Sequence, residues 1–373
     1  MPLYDVYTRY DLNPSHAEGH CLVDDQGKEY LDFYGGHAVI SIGHGHPHFK
    51  QRIKDQLDAL PYYSNAVHNP LQQELAELLG ELSGLPDYQL FLCNSGAEAN
   101  ENALKLASFR TGRSKVLAFT NSFHGRTSAA VAATDMPSAQ APINRQQQVD
   151  FFPFDTTEEV LEALASEDYC AVIFECIQGV GGLDEPETAF LQAISKAAKK
   201  TGTWLIADEV QSGFGRSGDF FAFQVHQIEP DVISMAKGMG NGFPVGGILV
   251  HPHHQAIKGE LGTTFGGNQL ACAAVLAVLE VLKTEKTLEK IPGLEAAFRS
   301  RAQGFTVKGR GLMLGLEDQQ PVGELRKALV NEGILTGGSK NPKLLRILPP
   351  YSIGTEDWDP LFKGIHALKA KAL

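Results

Sequence analysis

Four short stretches hold side chains able to do chemistry, and each closely follows an apolar run. In the first, Asn94-Ser95-Gly96-Ala97-Glu98-Ala99-Asn100 leads into Glu101–Ala107, a good helix former. Ser95 with Glu98 three residues on is a capping-box pattern, and the bare backbone at Gly96 lets an anion approach the free N–H groups at the positive end of a helix. An ordinary capped helix has the same signature, so this stretch alone does not establish a phosphate site. The second stretch, Phe123-His124-Gly125-Arg126, offers an aromatic face and a guanidinium. Such a phenylalanine is commonly only core, but the arginine can grip a carboxylate through two parallel hydrogen bonds. The third, Asp208-Glu209-Val210-Gln211, places a carboxylate at a strand end. There it either caps a turn or pairs with a protonated pyridine nitrogen, which keeps such a ring an electron sink. In the fourth, Lys237 stands between an apolar run and the loop Gly238-Met239-Gly240-Asn241-Gly242. Most lysines are solvated surface charges, but one placed here is partly desolvated. Burial moves an amine toward the neutral form that attacks carbonyls.

The elements that must position these groups follow from the apolar runs. Leu90–Cys93, Val116–Phe119, Ala171–Phe174, Trp204–Ala207, Val232–Met235 and Gly247–Val250 are continuous apolar segments with helix-like stretches between them. That pattern implies a mainly parallel sheet covered by helices on both faces, with ligands beyond the carboxyl ends of the strands. From about Leu270 the character changes to a long helix (Ala271–Glu285), charged helical stretches and short strand-like pieces at Gly311–Gly315 and Leu344–Leu348. The expected division is an N-terminal segment over 1–45 packing with the small domain, a large α/β domain over 46–269 and a smaller α+β domain over 270–373.

In combination, a phosphate cradle, an aromatic, a strand-end carboxylate and a strand-end lysine, in that order, are more specific than any of them alone. The stretches Asn94–Ala107, Phe123–Thr127, Ala207–Gly218, Ala236–Gly247 and Gly262–Asn268 resemble class III aminotransferases of the pyridoxal-phosphate (PLP) fold type I, most closely the acetylornithine and succinylornithine group. The resemblance spans nearly the whole chain. It implies PLP as cofactor, with Gly96 and Ala97 offering N–H groups to the phosphate, Phe123 stacking on the ring, Asp208 on the ring nitrogen and Gln211 near the phenolic oxygen. Glu209 and Val210 are counted with these cofactor contacts. Lys237 would form the internal aldimine, and Thr264 would reach the phosphate of the other subunit, making a homodimer with shared active sites. Arg126, with Thr263 beside it, would hold the substrate α-carboxylate, and Arg346 that of 2-oxoglutarate. The expected reaction moves the δ-amino group of an N-acylornithine to 2-oxoglutarate, as in arginine biosynthesis. The chain departs from the family pattern at Val180, where related enzymes carry a glutamate that pairs with the arginine. The resemblance therefore leaves Glu175 or another acid to stand in for it. Rival readings are a class III transaminase for ornithine or 4-aminobutyrate, a PLP aminomutase or decarboxylase, and a catalytically inactive regulatory relative. Intact Lys237 and Asp208 count against the last.

Bulk properties agree with a globular enzyme. Of 373 residues, 43% are apolar and 20% charged, which is ordinary for a folded domain and unlike a disordered chain. Asp and Glu outnumber Lys and Arg by 44 − 32 = 12, a field that repels nucleic-acid phosphates and anionic lipid. The five cysteines are scattered with no Cys-x-x-Cys pair, as expected of reduced thiols. The first residues show neither a basic patch nor an apolar stretch, so a cytoplasmic location is expected. Leu270–Leu282 contains Glu280 and is too short to span a bilayer. Gly213-Phe214-Gly215-Arg216-Ser217-Gly218 fits a dinucleotide fingerprint, but it neither directly follows a strand nor opens a convincing helix. The histidines at 44, 46 and 48 and at 251, 253 and 254 lack the cysteine or carboxylate spacing of a zinc site, and no metal is expected.

Overall fold

A computed structural model describes residues 1–371. Its strands are, in chain order, β1 (Pro14–Glu18), β2 (Cys21–Asp24), β3 (Glu29–Asp32), β4 (Gln89–Cys93), β5 (Lys115–Phe119), β6 (Val149–Phe152) and β7 (Tyr169–Phe174), followed by β8 (Trp204–Asp208), β9 (Val232–Met235), β10 (Gly246–Val250), β11 (Thr306–Arg310), β12 (Met313–Glu317), β13 (Ile334–Leu335) and β14 (Leu344–Ile347). Seven of them form the central sheet in the order β4-β10-β9-β8-β7-β5-β6. All its pairings are parallel except those of β10, which runs antiparallel to both neighbours. The six apolar runs each lie in one of these strands. The seventh, β6, is an edge strand with Asp150 in its middle and a partly exposed side, so it lacks the continuous apolar signature.

Burial on both faces is written in the strands with period two. Val116, Ala118, Ala171, Ile173, Ile206 and Val232 pack with Ala99, Ala103 and Ala107 of the helix Gly96–Thr111. Their neighbours Leu117, Phe119, Val172, Phe174, Leu205 and Ile233 join the opposite core, which includes Val275, Leu276 and Leu279 of the helix Gln269–Thr284. Successive side chains on a strand point to opposite faces, so a strand with helices on both sides must be apolar throughout.

Two smaller sheets flank this unit. β11, β12 and β14 pair antiparallel, while β1, β2 and β3 form a meander that β13 extends in parallel. Between β3 and the following helix the backbone is left-handed over four successive residues, Gly35, Gly36, His37 and Ala38. L-residues such as His37 and Ala38 tolerate this only when the surroundings enforce it. The turn carries Val39 to the carboxyl ends of the central strands. Among the described residues no helix is long and apolar enough to cross a membrane.

Candidate active site

The carboxyl ends of β4, β5, β7, β8 and β9 open on a cleft of about 350 Å³ that gathers Gly96, Ala97, Phe123, Arg126, Glu175, Asp208, Val210, Gln211 and Lys237. Larger grooves of about 630 and 980 Å³ lie elsewhere, one past the opposite ends of β8 and β10 and one between the segments around Asn69 and Gly262. The smaller cleft is the candidate because strand-end chemistry converges there.

Ser95 caps the helix Gly96–Thr111 and accepts the Glu98 N–H at 3.1 Å. The reciprocal bond is shifted by one residue, since Glu98 receives the N–H of Asn94, at 2.8 Å, instead of that of Ser95. The first helical N–H groups, at Gly96 and Ala97, have no intrahelical acceptor. Glycine is required at the opening of this helix, because a Cβ on Gly96 would lie 2.5 Å from Val210 Cγ1. Gly125 lies as close to the same turn, where its Cβ would meet that of Ala97 at 2.6 Å.

Asp208 is buried, and both of its oxygens have partners. Its Oδ2 accepts Asn100 Nδ2 and lies 2.7 Å from both that atom and His124 Nδ1, while Oδ1 accepts the Val210 N–H at 3.0 Å. His124 and Asn100 therefore fix the carboxylate, and motif reading had assigned neither of them a role. Asn100 also donates to the His124 carbonyl at 2.7 Å, closing a triangle between the helix, the loop after β5 and the end of β8. One turn of helix separates Gly96 from Asn100, which was the available signal.

Lys237 follows β9 in a left-handed conformation, φ 51°, a strained placement for a side chain with a Cβ. Burial draws its amine down to about 8, against the opposing pull of Asp208 and Glu175, and the Arg346 charge adds to the lowering. Arg126 is exposed, with its guanidinium 5.7 Å from the Phe123 ring centre.

Arg346 is almost fully buried on β14. Its Nε donates to the Gly338 carbonyl at 2.6 Å, and its Nη1 donates to the Gly179 carbonyl at 2.5 Å and lies 3.5 Å from Gln211 Oε1. These partners are all neutral. Glu175, expected as a possible stand-in acid for Arg346, does not pair with it. Instead Oε1 accepts the Phe123 N–H and Oε2 the Gly179 N–H, each at 2.9 Å. Val180 likewise supplies only its carbonyl, to the Lys340 N–H at 2.8 Å. Among the described residues, therefore, no carboxylate pairs with Arg346.

Arg346 and three other expected residues do not line this cleft. The Glu209 side chain turns away, accepting Ser212 Oγ and the Ala222 N–H on one oxygen and the Phe223 N–H on the other. It caps the turn Ala222–His226, so its side chain is corrected from cofactor contact to internal brace. Thr263 Oγ1 accepts Asn94 Nδ2 at 3.1 Å and the Gly266 N–H at 3.2 Å, and Thr264 is exposed. Neither lines the Lys237 cleft of its own chain.

The misleading motifs have structural explanations. Arg216, inside the Gly213–Gly218 pattern, is buried and donates to the carbonyls of Leu312, Pro349 and Ile40 while stacking on Tyr351. His44, His46 and His48 face Asp32, Glu285 and Glu280. Among the described residues no group of three or more His, Cys, Asp or Glu side chains is arranged so that it could hold a metal ion.

Comparison with known proteins matches residues 5–368 to the family described as Aminotransferase class-III. Acetylornithine aminotransferase of Methanosarcina mazei is 38% identical over 95% of this chain and 91% of its own length. The protein of that name from Archaeoglobus fulgidus is 39% identical over 96% and 95%. Among solved structures, ornithine aminotransferase from Toxoplasma gondii ME49 superposes with a TM-score of 0.91 at 26% identity, covering 99% of this chain and 93% of that one. An (S)-enantioselective omega-transaminase from Thermomicrobium roseum superposes with a TM-score of 0.87 at 27% identity, covering 97% and 93%.

Proposed function

We propose that this chain, which belongs to the class III aminotransferase family, transfers the δ-amino group of an N-acylornithine to 2-oxoglutarate, giving the N-acylglutamate semialdehyde and glutamate. The substrate class rests on the acetylornithine aminotransferases that it resembles along nearly its full length. The single observation that carries the catalytic reading is that Lys237 and the braced Asp208 open on one cleft beside the helix start at Gly96, where the first N–H groups have no intrahelical acceptor.

The family's cofactor is PLP, and the residues present fit it. Gly96 and Ala97 line the Lys237 cleft at a helix start whose first N–H groups have no intrahelical acceptor, donors that suit a phosphate. Phe123 would flank the ring, with Asp208 on its nitrogen and Gln211 near its phenolic oxygen. When bound, the cofactor supplies an electron sink that stabilises a carbanion at the carbon losing its proton.

The chain's own residues do the rest. Arg126 grips the α-carboxylate of the donor, far from the reacting δ-amine. Nζ of Lys237 removes the proton from the donor's δ-carbon and later delivers one to the C2 carbon of the former oxo acid. Burial draws its pKa down to about 8, so more of the amine is neutral near pH 7, as a base must be. Arg346, which has no acid to release first, takes the carboxylate of 2-oxoglutarate.

The reading includes a homodimer in which Thr264 completes the partner's phosphate site. Tyr62, Tyr63, Val67 and Phe265 are exposed near this loop, as a surface destined for burial would be. It also includes a large domain over 46–269, supported by the central sheet, and a cytoplasmic location. The test is kcat/KM for acetylornithine, succinylornithine, ornithine and 4-aminobutyrate with 2-oxoglutarate as acceptor. An N-acylornithine should be the best donor. A preference for 4-aminobutyrate or free ornithine, or turnover independent of an oxo acid, would refute the assignment.

A further inference from the structure

Glu175 is a buried carboxylate for which the reaction just described has no task. Its oxygens point in two directions. Oε1 receives the N–H of Phe123, on the loop after β5 that also presents Arg126, and Oε2 receives the N–H of Gly179, whose carbonyl accepts Arg346 Nη1. A continuous path therefore runs from Arg126 and its neighbour ring Phe123 through Glu175 and Gly179 to Arg346. We propose that Glu175 is a positioning residue: its carboxylate locks the loop bearing Phe123 and Arg126 to the turn that holds Arg346, and so governs capture of the oxo-acid carboxylate. This rests on the reading that Arg346 binds that carboxylate.

The choice of side chain fits the task. Two backbone N–H groups from separate loops need two acceptors and no donor, which an ionised carboxylate supplies and an amide or a protonated acid does not. The turn cannot easily adjust, because Gly179 packs so closely on Gln211 Oε1 that a Cβ would collide with it. The charged and titratable groups facing Glu175 come from every strand end around it: His124 after β5, Asp208 at the end of β8, Lys237 after β9 and Arg346 on β14, with the Cys176 thiol adjacent in sequence. Burial pushes the Glu175 carboxyl up to about 7, with Asp208 adding to the shift and His124 and the two N–H groups opposing it. The bridging, ionised form is thus present above about pH 7 and is lost as the pH falls through that value. Protonation would turn an O–H toward an N–H and open one side of the lock.

Glu175→Gln keeps the shape but has one acceptor oxygen. In the PLP-loaded full-length enzyme, kcat/KM for 2-oxoglutarate should fall roughly tenfold or more at pH 8, through KM, in line with loss of one charge-assisted bond. Cofactor absorbance should be retained, and kcat/KM for acetylornithine should fall less, since the donor meets only the Arg126 side of the lock. The wild-type profile for 2-oxoglutarate should carry two ionisations on its acid side, those of Lys237 and Glu175, and only that of Lys237 should remain in the variant. Equal losses for both substrates accompanied by a lower Tm, or an unchanged KM and pH profile, would overturn the proposal. Arg346→Ala separates the two levels of the argument. If it raises KM for 2-oxoglutarate and Glu175→Gln does not, only the Glu175 inference falls. If Arg346→Ala leaves KM unchanged, the underlying carboxylate reading falls as well.

Discussion

Replacing Asp208 by asparagine changes one oxygen to an amide nitrogen in a site where both oxygens already have hydrogen-bond partners. Oδ1 receives the Val210 N–H, and Oδ2 faces both Asn100 Nδ2 and His124 Nδ1 at 2.7 Å. Whichever way the amide turns, its NH2 group meets at least one donor, and all remaining bonds become neutral. The neighbouring helix and strand stay packed, so the fold should tolerate the change and the cofactor should still bind through the helix start and Lys237. What disappears is the negative charge that holds a ring nitrogen protonated. A charge-assisted hydrogen bond contributes roughly 1.5–3 kcal/mol. At about 1.36 kcal/mol per decade that loss slows turnover roughly 10- to 150-fold, and weakening of the electron sink adds to it. The assay is steady-state glutamate formation from acetylornithine and 2-oxoglutarate at saturating PLP, with cofactor content read from absorbance in the same samples. Near-normal kcat at full occupancy would refute the assignment of Asp208 to the ring nitrogen.

Gly96→Ala should raise the Kd for PLP about tenfold or more, because the added methyl would press on Val210 Cγ1 at 2.5 Å; a titration of apoenzyme by absorbance measures it. Val180→Glu, which places an acid beside the Gly179 carbonyl that holds Arg346, should narrow the preference for N-acylated over free ornithine. With Arg346 otherwise unneutralised, free ornithine can be gripped as an unproductive α-amino donor, and acylation blocks that chemistry. An unchanged ratio of the two kcat/KM values would contradict this. Glu209→Gln should cost roughly 1–3 kcal/mol in stability by urea denaturation, since a buried carboxylate with three donors loses part of its satisfaction; in the PLP-saturated fraction that remains folded, kcat should stay close to wild type.

Much of this arrangement is legible in the chain. Val116–Phe119 and Ala171–Phe174 announce buried strands because both faces of the sheet are covered, and Asp208 and Lys237 follow such runs directly, so their place at the ligand edge follows from topology. Side-chain partners are less readable, because they depend on contacts between segments far apart. Glu175 and Glu209 both stand at strand ends within acidic, apolar-flanked stretches, yet one opens on the cleft and the other turns to cap Ala222–His226. Only the path of the distant loops decides between them. His124 and Asn100 look like ordinary loop and helix residues until their 84- and 108-residue separations from Asp208 are closed in space. The left-handed turn Gly35–Ala38 has glycine at its first two positions, but nothing in the chain marks His37 and Ala38 for the same conformation.

The most direct test of the account concerns Lys237. Borohydride reduction of the yellow PLP-bound enzyme, followed by proteolysis and mass spectrometry, should find the reduced pyridoxyl group on the peptide containing Lys237, with no labelling in Lys237→Ala. Recovery of that group on any other lysine, or undiminished turnover in Lys237→Ala, would contradict it.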